Sequence, residues 1–537
     1  MPPSQASRPP TGDAAIPNPT KARLPQLTGE FVKKHYPSGL QVIHVDVLNR
    51  HGERTPITHK MPHITPRNWS YCGDSNRMHA DFLKAVDSHT GDGKPTAWQS
   101  YIFKSDERDI GKVFGTTESQ GQHASDTSKT TAATCSFGQL TDVGRQSMSA
   151  LGTHLRDLYV DTLGFLPSTL PQSRSGYAED LYLRSTSFTR AFESLQHLLG
   201  GLYPNLPANA PTYHVNVRPA NRDNMFPNFD CKNMAAMFME FNNKSLELWA
   251  GEYEQLRRDL EEIPAVREFF DTEFNPGRHR VAISTMDTLW PMRAHGMKMP
   301  EGVTDEILTR LSMMSAVEYM YSLELSPRLA RMQIGPLVHE LVGNLVTAVK
   351  ADRDGAKAPP KMGVYSGHDT TVGPLLSVFG DRKTGPAMQA PVGLLWPPFS
   401  ASIRIELLKD TKTPYPTVRP AWEDEQADHS DDLTRIAPER RVRPINVPDD
   451  LYHWTTQRIG GTATGAAQHD PRALRGYYVR VWYNDREIRL PACRDAGAHH
   501  TELGSSVCTL DGFFKQVARY VPNEEEAAQD CNLISAK

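Results

Sequence analysis

Two arginines bracket a histidine in the stretch Arg50-His51-Gly52-Glu53-Arg54-Thr55-Pro56. Guanidinium groups bind phosphate oxygens bidentately and stay protonated. A histidine held among such cations has its pKa lowered, which leaves a neutral, nucleophilic imidazole. Gly52 gives the backbone room to approach a ligand closely. A second group, Ser366-Gly367-His368-Asp369-Thr370-Thr371, offers a carboxyl group, Asp369, able to protonate a departing alcohol oxygen. Its His368 can donate a hydrogen bond to a phosphate. A third group, Leu183-Arg184-Ser185-Thr186 with Arg190 beyond it, brings further positive charge, and Arg184 would complete a three-arginine clamp. Alone, the second and third groups have plainer readings, Asp369 as a helix cap and Arg184 as an ordinary surface ion pair. Beside the first they describe phosphoryl transfer through a histidine.

Each group follows an element able to hold it. Residues 41–48 (QVIHVDVL) are rich in β-branched and apolar types and read as a buried strand ending at the Asn49-Arg50-His51-Gly52 turn. Residues 180–184 and 362–366 read as short strands before the other two groups, and 213–217, 401–408 and 477–482 as further strands. Thr141 is placed to cap a helix carrying Met148, Leu151, Leu155 and Leu158. A helix follows Ser187, another covers 372–379, and residues 231–350 are almost wholly helical, with helices over 243–261, 304–321 and 334–349. Strand–helix alternation interrupted by a helical block predicts an α/β sheet domain with a helical cap inserted in it. The expected division is a disordered tail over 1–38, a first core part over 39–230, the cap over 231–350 and a second core part over 351–537. The irregular stretch 60–137 is expected to form a functional rim or lid, and the polar stretch 410–475 a long insertion in a hairpin.

Composition narrows the class. The 537 residues are 38% hydrophobic and 23% charged with a formal net charge of -4, and the mean hydropathy is -0.52. No global basic field points to nucleic acid or a membrane surface, so anion binding must be local. No run approaches the roughly 18 apolar residues of a membrane span. The N-terminal stretch lacks the apolar region of a secretory signal. A cytoplasmic location is favoured, with a mitochondrial one as the alternative suggested by Arg8, Lys21 and Arg23 in an acid-poor leader. Six cysteines in this length do not make a disulfide scaffold, and none form a CxxC pair, so no structural metal is expected. No cofactor is implied either.

The groups quoted resemble the signatures of the histidine acid phosphatases, in branch 2 of the histidine phosphatase superfamily. RHGERTP matches the RHGxRxP pattern, VYSGHDTTV the second signature, and YLRSTSFTRAFESLQHLLGGLYP the segment carrying the third phosphate-binding arginine. FGQLTDVGRQSM, FPNFDC, WPPFSASIRIEL and the Cys493 to Cys508-Thr-Leu-Asp segment extend the likeness over most of residues 40–531. Within the family the chain is most similar to the lysophosphatidic acid phosphatase type. The resemblance implies a mixed-sheet, phosphoglycerate-mutase-like core with helices on both faces. It further implies His51 as nucleophile, Asp369 as general acid, Arg50, Arg54 and Arg184 as phosphate ligands, and His368 as a stabiliser of the transferring group. It also implies disulfides Cys493–Cys508 and Cys231–Cys531.

The expected reaction is metal-independent hydrolysis of a phosphate monoester through phosphohistidine, with an acid optimum because Asp369 must begin protonated. Lysophosphatidic acid is the candidate substrate. A phytase-like inositol phosphate hydrolase is the alternative, favoured by a strongly basic cleft, whereas residues 60–137 hold about as many acidic as basic side chains. A non-catalytic phosphate-binding scaffold would be favoured by loss of His51, Arg54 or Asp369, and all three are present.

Overall fold

The computed structural model describes residues 18–73, 134–170, 179–204, 215–219, 223–228, 231–272, 280–380, 395–412, 474–522 and Asp530. In chain order the elements are α1 (Gly29–His35), β1 (Leu40–Arg50), α2 (Asp142–Arg156), β2 (Leu181–Ser185), α3 (Thr189–Leu202) and β3 (Val215–Val217). Then come α4 (Lys232–Leu248), α5 (Ala250–Glu261), α6 (Pro264–Thr272), α7 (Val281–Ala294), α8 (Asp305–Tyr319), α9 (Tyr321–Leu325) and α10 (Pro327–Asp354). The chain returns to the sheet with β4 (Met362–Gly367), α11 (Asp369–Phe379), β5 (Ser402–Asp410) and β6 (Tyr477–Tyr483). It ends with β7 (Arg486–Ile488), β8 (His499–His500), β9 (Gly504–Thr509) and α12 (Leu510–Val517).

The strands form one mixed sheet in the order β3-β2-β4-β1-β5-β6-β9-β8, with β7 also on β6. β3, β2, β4 and β1 are parallel neighbours, and β1, β5, β6 and β9 are antiparallel ones. β1 is therefore the switch from one pairing mode to the other. From His44 to Arg50 every one of its residues is buried, as a strand covered on both faces requires. On one face Val45 and Val47 pack with Met148, Leu151 and Leu155 of α2 and Leu195, Leu198 and Leu202 of α3. On the other, Leu48 and β5's Ile403 and Ile405 pack with Leu337 and Leu341 of α10, Leu375 of α11 and Phe513 of α12. The fold is α/β with a mixed sheet and helices on both faces. Helices α5–α8 gather a third core around Leu260, Phe269, Leu289, Trp290 and Leu311, into which Met61 and Trp69 insert. No helix among the described residues is long and apolar enough to cross a membrane.

Several expectations need correction. Part of the supposed disordered tail is ordered: Thr28 caps α1 by accepting from the Phe31 N–H at 3.1 Å, and Phe31 packs against Trp482 of β6. Residues 1–17 lie outside the described residues. The helix expected over 243–261 is two, divided at Trp249, whose ψ of 19° leaves the helical range. β5 and β6 pair directly, Lys409 opposite Tyr477, so 410–475 does interrupt a hairpin, but 413–473 lie outside the described residues, as do 74–133 of the rim. Cys493 and Cys508 are bonded. Cys231 is also disulfide-bonded, and its implied partner Cys531 lies outside the described residues. Cys72–Cys135, joined across 63 residues, was not foreseen.

Candidate active site

β1 and β4 run parallel with Arg50 opposite Gly367, so the first two groups leave the sheet side by side at its carboxyl edge, where open α/β sheets bind ligands. The backbone ties them together, the His51 N–H donating to the Gly367 carbonyl at 3.0 Å. β2 lies on the far side of β4 with Ser185 opposite Ser366, which brings Thr186 to the His368 ring, Oγ1 2.9 Å from Nε2.

His51 is buried, and its Nδ1 lies 2.8 Å from the Gly52 carbonyl oxygen. A carbonyl only accepts, so Nδ1 carries the proton and Nε2 keeps the free lone pair. Burial, then the charges of Arg190, Arg50, His368 and Arg54, hold the ring well below its ordinary pKa. The imidazole is thus held in its neutral form with Nε2 unprotonated. Behind it the His51 carbonyl accepts from the Ser400 N–H at 3.1 Å. Ser400 sits at φ 59°, a conformation that a non-glycine residue keeps only where its surroundings enforce it. Gly52 serves packing instead of ligand approach: a Cβ there would run into the Gly144 backbone in the first turn of α2.

Arg50 and Arg54 flank the same cleft. Arg50 Nη1 donates to the Pro397 carbonyl at 2.6 Å, its Nη2 lies 2.8 Å from Asp369 Oδ2, and its guanidinium covers the Phe399 ring at 4.3 Å. Arg54 Nη1 lies 3.0 Å from Asp287 Oδ1 on α7. The Arg54 loop is braced by residues 135–141. Thr55 N–H donates to Gln139, Gly138 N–H to Pro56 and Thr141 N–H to Glu53, and the Cys72–Cys135 disulfide clamps the start of that brace. Asp369 opens α11 and accepts from Trp396 Nε1 at 3.1 Å. Burial raises its pKa, but Arg50, His368 and Arg54 outweigh that, so the net direction is downward. His368 is pushed down to about 3, chiefly by burial and then by Arg190. The cleft holds about 250 Å³, and beyond Arg50, Arg54, Asp287, Asp369 and Lys60 its lining is mainly apolar, including Met286, Trp290, Trp396 and Phe399.

Arg184 does not join this group. Its side chain is 0% exposed and is consumed by Glu340 at 2.9 and 3.0 Å, Asp223 at 2.8 Å and Asn224 at 2.5 Å. Those carboxylates raise its pKa above the usual arginine value despite burial. The third cation is Arg190, in the first turn of α3. It is the largest charge acting on both His51 and His368. Burial, then Arg54, pushes its own pKa down to about 10. The sequence placed Arg190 beside Arg184 but held nothing to rank the two, because Glu340 lies 156 residues from Arg184. Asp287 and Trp396 were missed too. α7 is buried around most of its circumference and shows no amphipathic stripe to draw attention to it.

The sequence profile of the histidine phosphatase superfamily (branch 2) matches residues 41–421. This chain belongs to that superfamily. A probable acid phosphatase of Schizosaccharomyces pombe is 25% identical over 499 residues, 91% of this chain and 94% of that one. Mouse lysophosphatidic acid phosphatase type 6 is 28% identical over 278 residues, half of this chain and 58% of that one. Among solved structures, Hafnia alvei phytase in complex with tartrate superposes with a TM-score of 0.51 at 12% identity, covering 93% of this chain and 100% of that one, a likeness of fold alone. With acid phosphatases as its relatives, this histidine phosphatase is a phosphoric monoester hydrolase of the acid phosphatase type.

Proposed function

We propose that hydrolysis proceeds in two steps through phosphorylated His51. His51 Nε2 attacks phosphorus in line, the P–O ester bond breaks, and the Asp369 proton passes to the leaving alcohol oxygen. Water then attacks the phosphohistidine, the P–N bond breaks, and the proton of the water returns to the Asp369 carboxylate. Arg50, Arg54 and Arg190 hold the equatorial oxygens, the principal source of rate in such reactions, and His368 donates to them. Arg50, His368 and Arg54 favour the ionised form of Asp369. A phosphate taking over Arg50 would remove the charge that holds its pKa down and add a negative neighbour, so the acid form is reached in the complex and is favoured at low pH. The single observation that carries this reading is His51, its Nδ1 occupied by the Gly52 carbonyl, set among three guanidinium groups.

The lining of the cleft supports a monoester with an apolar body, of the lysophosphatidic acid kind. Past the arginines the described walls offer Met286, Trp290, Trp396 and Phe399 with Lys60 as the one added cation, poor provision for an inositol ring carrying several phosphates. The test is phosphate release from an alkyl phosphate between mildly acidic and neutral pH, with the phosphoprotein trapped at short times. Wild type should release phosphate fastest in acid and yield an acid-labile phosphoenzyme. His51→Ala should lose at least about 10⁴-fold in kcat and trap nothing. A His51→Ala protein that keeps the phosphoenzyme would refute the nucleophile. Lysophosphatidate should then be hydrolysed in preference to phytate.

A further inference from the structure

The cleft contains a second carboxylate that hydrolysis does not use. Asp287 reaches from α7 to Arg54, Oδ1 3.0 Å from Nη1, with side chains 10% and 7% exposed. Its Oδ2 accepts the Ile57 N–H at 3.1 Å. Its field extends to Arg50 and Arg190 as well, favouring the charged form of each. Asp369 alone gives and takes back the proton, so Asp287 has no chemical step to perform. A carboxylate beside a phosphate site repels the anion that the site must bind, and such an element makes sense as discrimination between ligands.

The charge count shows which ligands it separates. Arg50, Arg54 and Lys60 line the cleft, and Arg190 acts on the same histidines. With Asp369 protonated, as the first step requires, these four cations, counted among the described residues, would alone balance two phosphate dianions. Asp287 reduces the excess to three, enough for one dianion and short of two. We infer that Asp287 is a specificity residue that makes this cleft select esters bearing a single phosphate group. The inference rests on the hydrolytic reading of the same cleft.

Hexyl phosphate and 1,6-hexanediol bisphosphate differ only by the second phosphate, and kcat/KM for each is the measurement. Wild type should prefer the monophosphate. Asp287→Asn should raise the ratio of bisphosphate to monophosphate about tenfold, and Asp287→Glu, which keeps the charge, should hold the wild-type ratio. If Asp287→Asn lowers both substrates together and leaves the ratio unmoved, Asp287 only braces Arg54 and the inference is overturned. Wild type inactive on both would bring down the hydrolytic reading and this inference with it. Should Asp287→Asn not accumulate as folded protein, inhibition of wild type decides. Inorganic phosphate should inhibit at lower concentration than pyrophosphate, and the reverse order overturns the proposal.

Discussion

Two arginine–carboxylate clusters sit near the same sheet edge and behave in opposite ways. In the first, Arg184 and Arg218 meet Glu340 and Asp223, two cations against two carboxylates. In the second, Arg50, Arg54 and Arg190 meet, among the described residues, the carboxylates of Asp369 and Asp287 alone. The closed cluster raises the pKa of Arg184. The open one leaves Arg50 and Arg190, chiefly through burial, each pushed down to about 10. A saturated cluster holds a fold together, whereas one left with a cation excess has room for an anion. The arginine type is the same in both, and the number of carboxylates decides the role.

The largest expected effect comes from breaking the closed cluster. Arg184→Ala would leave Glu340 and Asp223 buried beside Arg218 alone, and should cost about 3–5 kcal/mol of unfolding free energy, measured by denaturant titration. Met225 next to this cluster accepts from Thr371 Oγ1, so some loss of activity should follow, but phosphate affinity of the folded fraction should stay near wild type. A stable Arg184→Ala protein that no longer binds phosphate would reverse the two assignments.

Arg190→Ala should give the complementary result. Its loss removes one of the proposed phosphate ligands and should lower kcat/KM about 10²–10³-fold. The denaturant midpoint should not fall, because the deletion relieves repulsion among Arg50, Arg54 and Arg190. A midpoint lowered as far as in Arg184→Ala would mean that the open cluster is structural as well.

The sequence carried much of this and stopped at a definite place. The strands bearing the site were legible because β1 and β4 are rich in apolar residues and punctuated by Arg50-His51-Gly52 and Gly367-His368-Asp369. Thr141 showed as a helix cap, and it accepts from the Gly144 N–H in the first turn of α2. Five of the six proposed site residues, Arg50, His51, Arg54, His368 and Asp369, come together around one cleft. What escaped depends on contacts between residues far apart in the sequence: Glu340 claiming Arg184, Asp287 meeting Arg54, and Cys72 finding Cys135. Local pattern cannot reveal which of two nearby arginines has its charge already balanced.

The smallest effect lies in the pH dependence of stability, and it tests the same contrast. In the cleft His368 is held down at about 3 by burial and by Arg190, so the folded ring stays neutral where the unfolded one, near its ordinary 6.5, takes up a proton. Below about 6.5 the unfolded state therefore binds more protons, and stability falls as the solution is acidified, by up to about 1.4 kcal/mol per pH unit for such a group. Glu340 in the closed cluster is shifted the other way: burial raises its pKa, but Arg184 and Arg218 lower it further. Its contribution is complete above about 4.5 and is lost only as pH falls through its folded value. Between pH 7 and 5 the histidine term should thus be present while that of Glu340 is silent. Chemical denaturation of wild type and His368→Asn across this range should show the variant with a flatter slope, by about one proton. Equal slopes would mean that the folded ring is charged beside Asp369, and that the cleft does not carry the excess of positive charge that sets it apart from the cluster behind it.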